Sequence, residues 1–124
     1  MTADKADRNK TIDTPLSKGQ AFLDRCITVT QRQADLDTVM DKTINGDMFG
    51  VCPLLPPESV DLIIADPPYN LTKTFSGTTF TKKKEIDYEE YTRQWLRAVK
   101  PLLKEDGSIY VCCDWETSLI VGRV

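Results

Sequence analysis

Asp66-Pro67-Pro68-Tyr69 is the stretch of this 124-residue chain whose residue types could do chemistry together. Neither proline has an N–H, so the segment offers acceptors only: the Asp66 carboxylate and the backbone carbonyls of Asp66 and Pro67. The prolines also fix φ, which holds those oxygens in place. Tyr69 adds a flat aromatic face. Acceptors beside such a ring suit a planar ligand that carries an –NH2 group. The oxygens take its two hydrogens and the ring stacks on its face. A proline-rich strand exit with a structural aspartate is the plainer alternative. The setting favours function: the four residues follow an apolar run, precede Asn70 and lead into a polar loop.

A strand must position that corner. Val60–Ala65 is a near-continuous apolar run, the pattern of a strand buried on both faces of a parallel sheet. Ligands of open parallel sheets sit at the carboxyl ends of strands, where Asp66 falls. Tyr88, Tyr91, Trp95, Val99 and Leu102 recur every three or four residues and predict an amphipathic helix. Pro101 lies near its end, and Gly107 is placed for a C-terminal stop. Ser108–Cys113 reads as the next strand and Glu116–Val124 as a further helix.

The upstream half is less regular. Residues 1–20 read as a mobile polar tail and 21–124 as one domain or part of one. Phe22, Leu23, Cys26 and Ile27 form the first apolar cluster. Thr30-Gln31-Arg32-Gln33 fits a capping box ahead of Leu36, Val39 and Met40 at helical spacing. Lys42–Asn45 reads as extended, and Met48–Leu55 as a helix stopped by Pro56-Pro57. Leu71–Lys84 is rich in Thr, Lys, Gly and Ser and reads as a mobile loop. Alternating strands and helices give an α/β class with a mostly parallel sheet.

Composition narrows the chemistry. Lys and Arg total 16 against 19 Asp and Glu, a net charge of −3. That balance argues against tight nucleic-acid binding by this chain alone, because neutralising phosphates needs clustered cations. Lys82-Lys83-Lys84 is the local exception. There is no histidine, which excludes an imidazole base or a His metal ligand. Cys26, Cys52, Cys112 and Cys113 form no C-x-x-C pair, so no metal site is expected and the cysteines read as small reduced hydrophobes. With no signal peptide and no membrane-length apolar run, the expectation is a cytoplasmic protein without membrane contact.

The segments "INGDMF" and "LPPESVDLIIADPPYNLT" resemble the amino-methyltransferases of DNA restriction–modification systems. The likeness is to adenine-N6 enzymes of the circular order that begins with the catalytic motif, the β class, and it covers about Thr43 to Trp115. It implies a Rossmann-like, S-adenosylmethionine-dependent methyltransferase fold. The target adenine would be flipped out of the duplex. Tyr69 would stack on it, for about 1–3 kcal/mol, while Asp66 and the Pro67 carbonyl accept from its amine. The methyl would move by direct in-line attack, with no need of histidine or cysteine. Asp66, Pro67, Pro68 and Tyr69 are thus the expected catalytic positions. Asp47 and Asp66 are the expected cofactor-binding ones, Asp47 through the likeness of Gly46-Asp47 to a strand-end acid that contacts the cofactor adenine. Asn70 would support the turn. Lys82–Lys84 reads from its composition as a solvated face, while the likeness implies that its loop faces DNA. Tyr91 and Trp95 read as core; Asp114 lies at the pocket rim with its role open.

Family members of this order carry a Phe-x-Gly-x-Gly cofactor loop and a target-recognition region after the catalytic motif. No Gly-x-Gly occurs in these 124 residues. The expectation is therefore a partial fold lacking the cofactor-loop half, with an unpaired edge on the Val60–Ala65 strand. A complementary C-terminal chain or a homodimer would cover that edge. An inactive, truncated dimerisation module is the alternative. Within the enzyme class cytosine-N4 methylation competes, although Asp66 in place of Ser leans toward adenine.

Overall fold

The computed structural model describes residues 15–30, 34–75 and 78–124. Its elements, in order, are α1 (Leu16–Leu23), α2 (Leu36–Val39), α3 (Met48–Val51) with a 3-10 turn at Cys52–Leu54, and β1 (Val60–Ala65). A hairpin of β2 (Lys73–Phe75) and β3 (Thr78–Phe80) follows. Then come α4 (Glu85–Val99), a 3-10 turn at Lys100–Leu102, β4 (Leu103–Val111) and α5 (Trp115–Arg123).

The centre is a strand–helix–strand unit. β1 and β4 pair in parallel, with Ile63 opposite Ile109, Ile64 opposite Tyr110 and Ala65 opposite Val111. α4 connects them and lies on one face. It forms where the spacing predicts, with Tyr88, Thr92, Trp95 and Val99 as its buried stripe. Glu85 and Asp87 in its first turn and Arg97 in its last complement the helix dipole. Arg93 pairs with Glu89 one turn away at 2.9 Å. Pro101 ends the regular helix inside the following 3-10 turn. Cys52, Trp95, Val99 and Leu102 form the core, and Val60, Ile63, Ala65 and Val111 of the sheet pack against it. Each buried aliphatic of this kind contributes about 1.5–3 kcal/mol.

Several expectations need correction. β1 is not buried on both faces: Leu62 is 48% and Ile64 70% exposed, as is Tyr110 of β4 at 66%. Alternation sends these side chains away from α4, and no described element covers them. β1 has only β4 as a neighbour among the described residues, so its other edge is unpaired. Gly107 does not stop a helix; it lies within β4, which begins at Leu103 and ends at Val111, before Cys112. The pairing there jumps from Val60–Leu103 to Leu62–Ser108. Leu103 folds over the irregularity, and a Cβ on Gly107 would stand 2.7 Å from Leu103 Cδ1 and 3.1 Å from the Asp61 carbonyl. The segment read as a loop contains the antiparallel hairpin, with Thr74 opposite Thr79.

Upstream, α1 begins at Leu16, ahead of the boundary placed at residue 20, and buries no residue. The proposed capping box includes Gln31–Gln33, which lie outside the described residues; α2 has Asp35 as its N-cap. The Lys42–Asn45 segment makes one parallel bridge, Ile44 to Ile27. Met48–Leu55 is helical as far as Leu54, in two short pieces. Among the described residues no helix is long and apolar enough to cross a membrane.

Candidate active site

β1 delivers Asp66 to the carboxyl end of the sheet. The last rung of the ladder is the Cys112 N–H donating to the Ala65 carbonyl at 2.8 Å. Beyond it the two prolines end the pairing, as neither has an N–H to give. The chain then turns: the Leu71 N–H donates to the Tyr69 carbonyl at 2.6 Å.

Side chains from the next elements tie this turn down. The buried Tyr88 of α4 donates its hydroxyl to the Pro68 carbonyl at 3.2 Å. Asn70, also buried, donates Nδ2 to the Lys83 carbonyl at 3.0 Å and accepts from the Lys83 N–H at 2.7 Å. The Lys82 N–H donates to Thr72 Oγ1 at 3.1 Å. The excursion through β2 and β3 is thus closed at its base.

With Pro68 occupied, the carbonyls of Asp66 and Pro67 accept no hydrogen bond among the described residues. The Asp66 side chain is exposed. Its neighbour is the phenol of Tyr69, itself 38% exposed. Desolvation first, and then the charge and hydrogen bonding of the Asp66 carboxylate, raise the Tyr69 phenol above its ordinary range. Cys112 and Cys113 stand near enough to add to that effect. A carboxylate has about four lone-pair sites, so this contact leaves room for further donors. The arrangement is a set of oriented acceptors beside an accessible aromatic ring.

Asp47 sits elsewhere. Its Oδ1 accepts from the N–H groups of Phe49 at 3.0 Å and Gly50 at 3.2 Å, capping α3. A Cβ on Gly46 before it would stand 2.6 Å from Val51 Cγ2, so a larger residue there would have to displace the Val51 side chain. No hydrogen bond or ion pair joins Asp47 to the Asp66–Tyr69 turn among the described residues. Its Oδ2 is without a partner among them.

The remaining residues singled out in the sequence have structural accounts. Trp95 is core, and its indole nitrogen is buried without a partner among the described residues. Tyr91 packs beside that core. Lys83 Nζ lies 4.8 Å from the centre of the Tyr91 ring. Lys82 pairs with Glu116 at 3.0 Å, and Lys84 precedes α4 as its N-cap. Asp114 caps α5 in a reciprocal box with Thr117. A cavity of about 620 Å³ bounded by Asn70, Lys82, Trp115 and Arg123 lies beside the turn, and none of Asp66–Tyr69 lines it. Sequence reasoning missed Tyr88 as a member of the site. Its helical spacing marked it as buried, but nothing local to it pointed to Pro68.

Strand, crossover helix and strand, with an acceptor corner at their carboxyl end, define part of an α/β methyltransferase domain. Residues 60–122 match the DNA methylase family of N6- and N4-methyltransferases, and the chain belongs to that family. Over 68 residues it is 37% identical to the DNA adenine methyltransferase YhdJ of Escherichia coli (strain K12), a match covering 55% of this chain and 23% of that protein. Over 69 residues it is 44% identical to the type II methyltransferase M.MjaVI of Methanocaldococcus jannaschii, covering 53% of this chain and 32% of that protein. The matched region therefore spans less than a third of either relative.

Proposed function

We propose that Asp66–Tyr69 grips the exocyclic amine of a flipped DNA base, and that the chain carries the catalytic motif of an adenine-N6 methyltransferase. The observation that carries this reading is the corner itself: free acceptors on Asp66 and Pro67 next to an accessible Tyr69 ring, at the carboxyl end of a parallel strand. The likeness to the E. coli DNA adenine methyltransferase supports the choice of base.

The chemistry follows from the residues. Asp66 and the Pro67 carbonyl accept the two amine hydrogens. That draws the nitrogen lone pair out of conjugation with the ring and aims it away from the base plane. Tyr69 stacks on the base, for about 1–3 kcal/mol. Because the acceptors are already oriented, they stabilise the positive charge that grows on the nitrogen without reorganising. S-adenosylmethionine, when bound, supplies an electrophilic methyl group. Its ammonium and adenine amine are donors, and the free oxygens of Asp66 and Asp47 are acceptors; on that chemistry the donor set fits, and these two residues would hold it.

The corner works together with further protein that covers Leu62, Ile64, Tyr110 and the open edge of β1. A complementary C-terminal methyltransferase half is the favoured occupant, and a second copy of the chain is the other. DNA is then met by the assembled enzyme. The same exposed face favours a second reading, an inactive dimerisation module.

The deciding experiment follows labelled methyl groups from S-adenosylmethionine into DNA, with the chain alone and with a candidate complementary half. Label in N6-methyladenine that disappears with Asp66→Ala is the expected result. Label in N4-methylcytosine would move the enzyme to the other branch of its class. Absence of label in every combination would leave the dimerisation module. Full activity of Asp66→Ala would refute the site.

A further inference from the structure

We propose that Tyr88 is a positioning residue for the acceptor corner: by occupying the Pro68 carbonyl, its hydroxyl sets the Pro68–Tyr69 peptide plane, and so where the Tyr69 ring stands, and leaves Asp66 and Pro67 as the open acceptors. This rests on the reading of Asp66–Tyr69 as an amine-binding corner.

Both prolines have φ locked by their rings, so the direction of each carbonyl depends on ψ. A hydrogen bond to the Pro68 oxygen holds the Pro68–Tyr69 peptide plane, and with it the start of the Tyr69 residue whose ring is to stack. The donor is well anchored. Tyr88 is 2% exposed, its ring lies 6.0 Å from that of Tyr91, and its backbone carbonyl accepts from the fully buried Thr92 hydroxyl at 2.8 Å. Desolvation raises its phenol above the ordinary range, with smaller contributions from Tyr91, Asp114 and Cys113. The hydroxyl therefore stays protonated, and so a donor, throughout the neutral range.

The bond also selects. An amine has two hydrogens to give. If the Pro68 carbonyl were free, it would be one more acceptor on the same turn, and the amine could bind out of line. With Tyr88 in place, the next acceptors along the turn are those of Asp66 and Pro67. Asn70 holds the far side of the same turn to Lys83, so α4 and the residues leading into it grip the corner at two points.

Tyr88→Phe keeps the buried ring and removes only the donor. In the full chain, amide exchange at Leu71, whose N–H closes the turn, should accelerate about 3- to 10-fold, the size of one net hydrogen bond. Exchange at Cys112, on the strand ladder, should not change. In the methyl-transfer assay of the active assembly, kcat should fall about 3- to 10-fold while the KM for DNA stays within about twofold. Equal acceleration at Leu71 and Cys112, or unchanged kcat, would overturn the proposal by showing a role in stability alone. A wild-type assembly with no methyl transfer would remove the functional reading, and the exchange data would still decide whether Tyr88 holds the turn. Should Tyr88→Phe not fold, the carbonyl ¹³C shifts of the wild-type protein decide: Pro68 downfield of Pro67 supports the hydrogen bond, and equal shifts overturn it.

Discussion

Asn70 and Lys83, thirteen residues apart, exchange two hydrogen bonds through a single carboxamide. Every residue of the hairpin lies between them, so this pair decides whether the excursion after the acceptor turn is a closed unit. Asn70→Ala would leave the Lys83 N–H and carbonyl without these partners next to a buried position. The expected loss is about 1–3 kcal/mol in urea unfolding. Limited proteolysis should then cut within residues 71–84 faster than in the wild type. An unchanged cleavage rate would mean that other contacts close the loop.

Gly107 carries a steric prediction. A methyl group there would meet Leu103 Cδ1 at 2.7 Å and Cγ at 2.8 Å, and the Asp61 carbonyl at 3.1 Å. Gly107→Ala should therefore destabilise by about 1–3 kcal/mol, as overpacking does. The double variant with Leu103→Ala should recover part of the loss, since two of the three close atoms belong to Leu103. Strict additivity in that double-mutant cycle would show that the two side chains do not compete for the same space.

Asp114 gives a pH dependence. Hydrogen bonds from the Thr117 backbone and side chain hold its carboxyl below the ordinary value of 3.8. The folded value is thus below the unfolded one, so its stabilisation is complete above 3.8 and is lost as pH falls through the folded value. Asp114→Asn retains a capping oxygen but cannot titrate. Its melting temperature should fall less steeply than that of the wild type between about pH 6 and pH 2. Asp114→Ala should cost about 0.5–2 kcal/mol at neutral pH, the usual range for a lost N-cap. Identical acid slopes for the wild type and Asp114→Asn would show that the cap does not contribute to acid unfolding.

Tyr69 and Asp66 can be tested without any substrate. The Tyr69 phenol is raised by desolvation and then by the Asp66 carboxylate. Asp66→Asn removes the charge and leaves the desolvation. The Tyr69 titration, followed by ¹³Cζ NMR, should move part of the way back toward an ordinary tyrosine. If it does not move at all, the ring and the carboxylate are not neighbours in solution, and the proposed base-gripping geometry loses its footing.

Legibility in the sequence followed how local each determinant is. The corner could be read because its logic is covalent: two prolines without N–H groups cannot do otherwise, wherever they sit. β1 and α4 could be read because a near-continuous apolar run, broken only by Asp61, and a three-four spacing are signals carried within one element. β4 was misjudged at its start because Glu105-Asp106-Gly107 has the composition of a helix end. Only pairing across to β1, with Leu103 folded over Gly107, makes it strand. The hairpin was missed because its strands do not alternate cleanly, although Thr and Phe on both sides of a Ser-Gly dipeptide were the available cue. Tyr88 was hidden for the plainest reason: its partner lies twenty residues away. What lies over Ile64 and Tyr110 is a property of neighbours, and residue type does not encode it.

The bare rim of β1 has a thermodynamic corollary. Among the described residues, Asp66 takes its place from a strand that is braced on one flank only, by β4. If Asp66–Tyr69 grips a nucleobase as proposed, whatever docks along the other flank and stiffens that strand also sharpens that grip. Linkage then runs in both directions: a captured base must tighten the docking by the same factor.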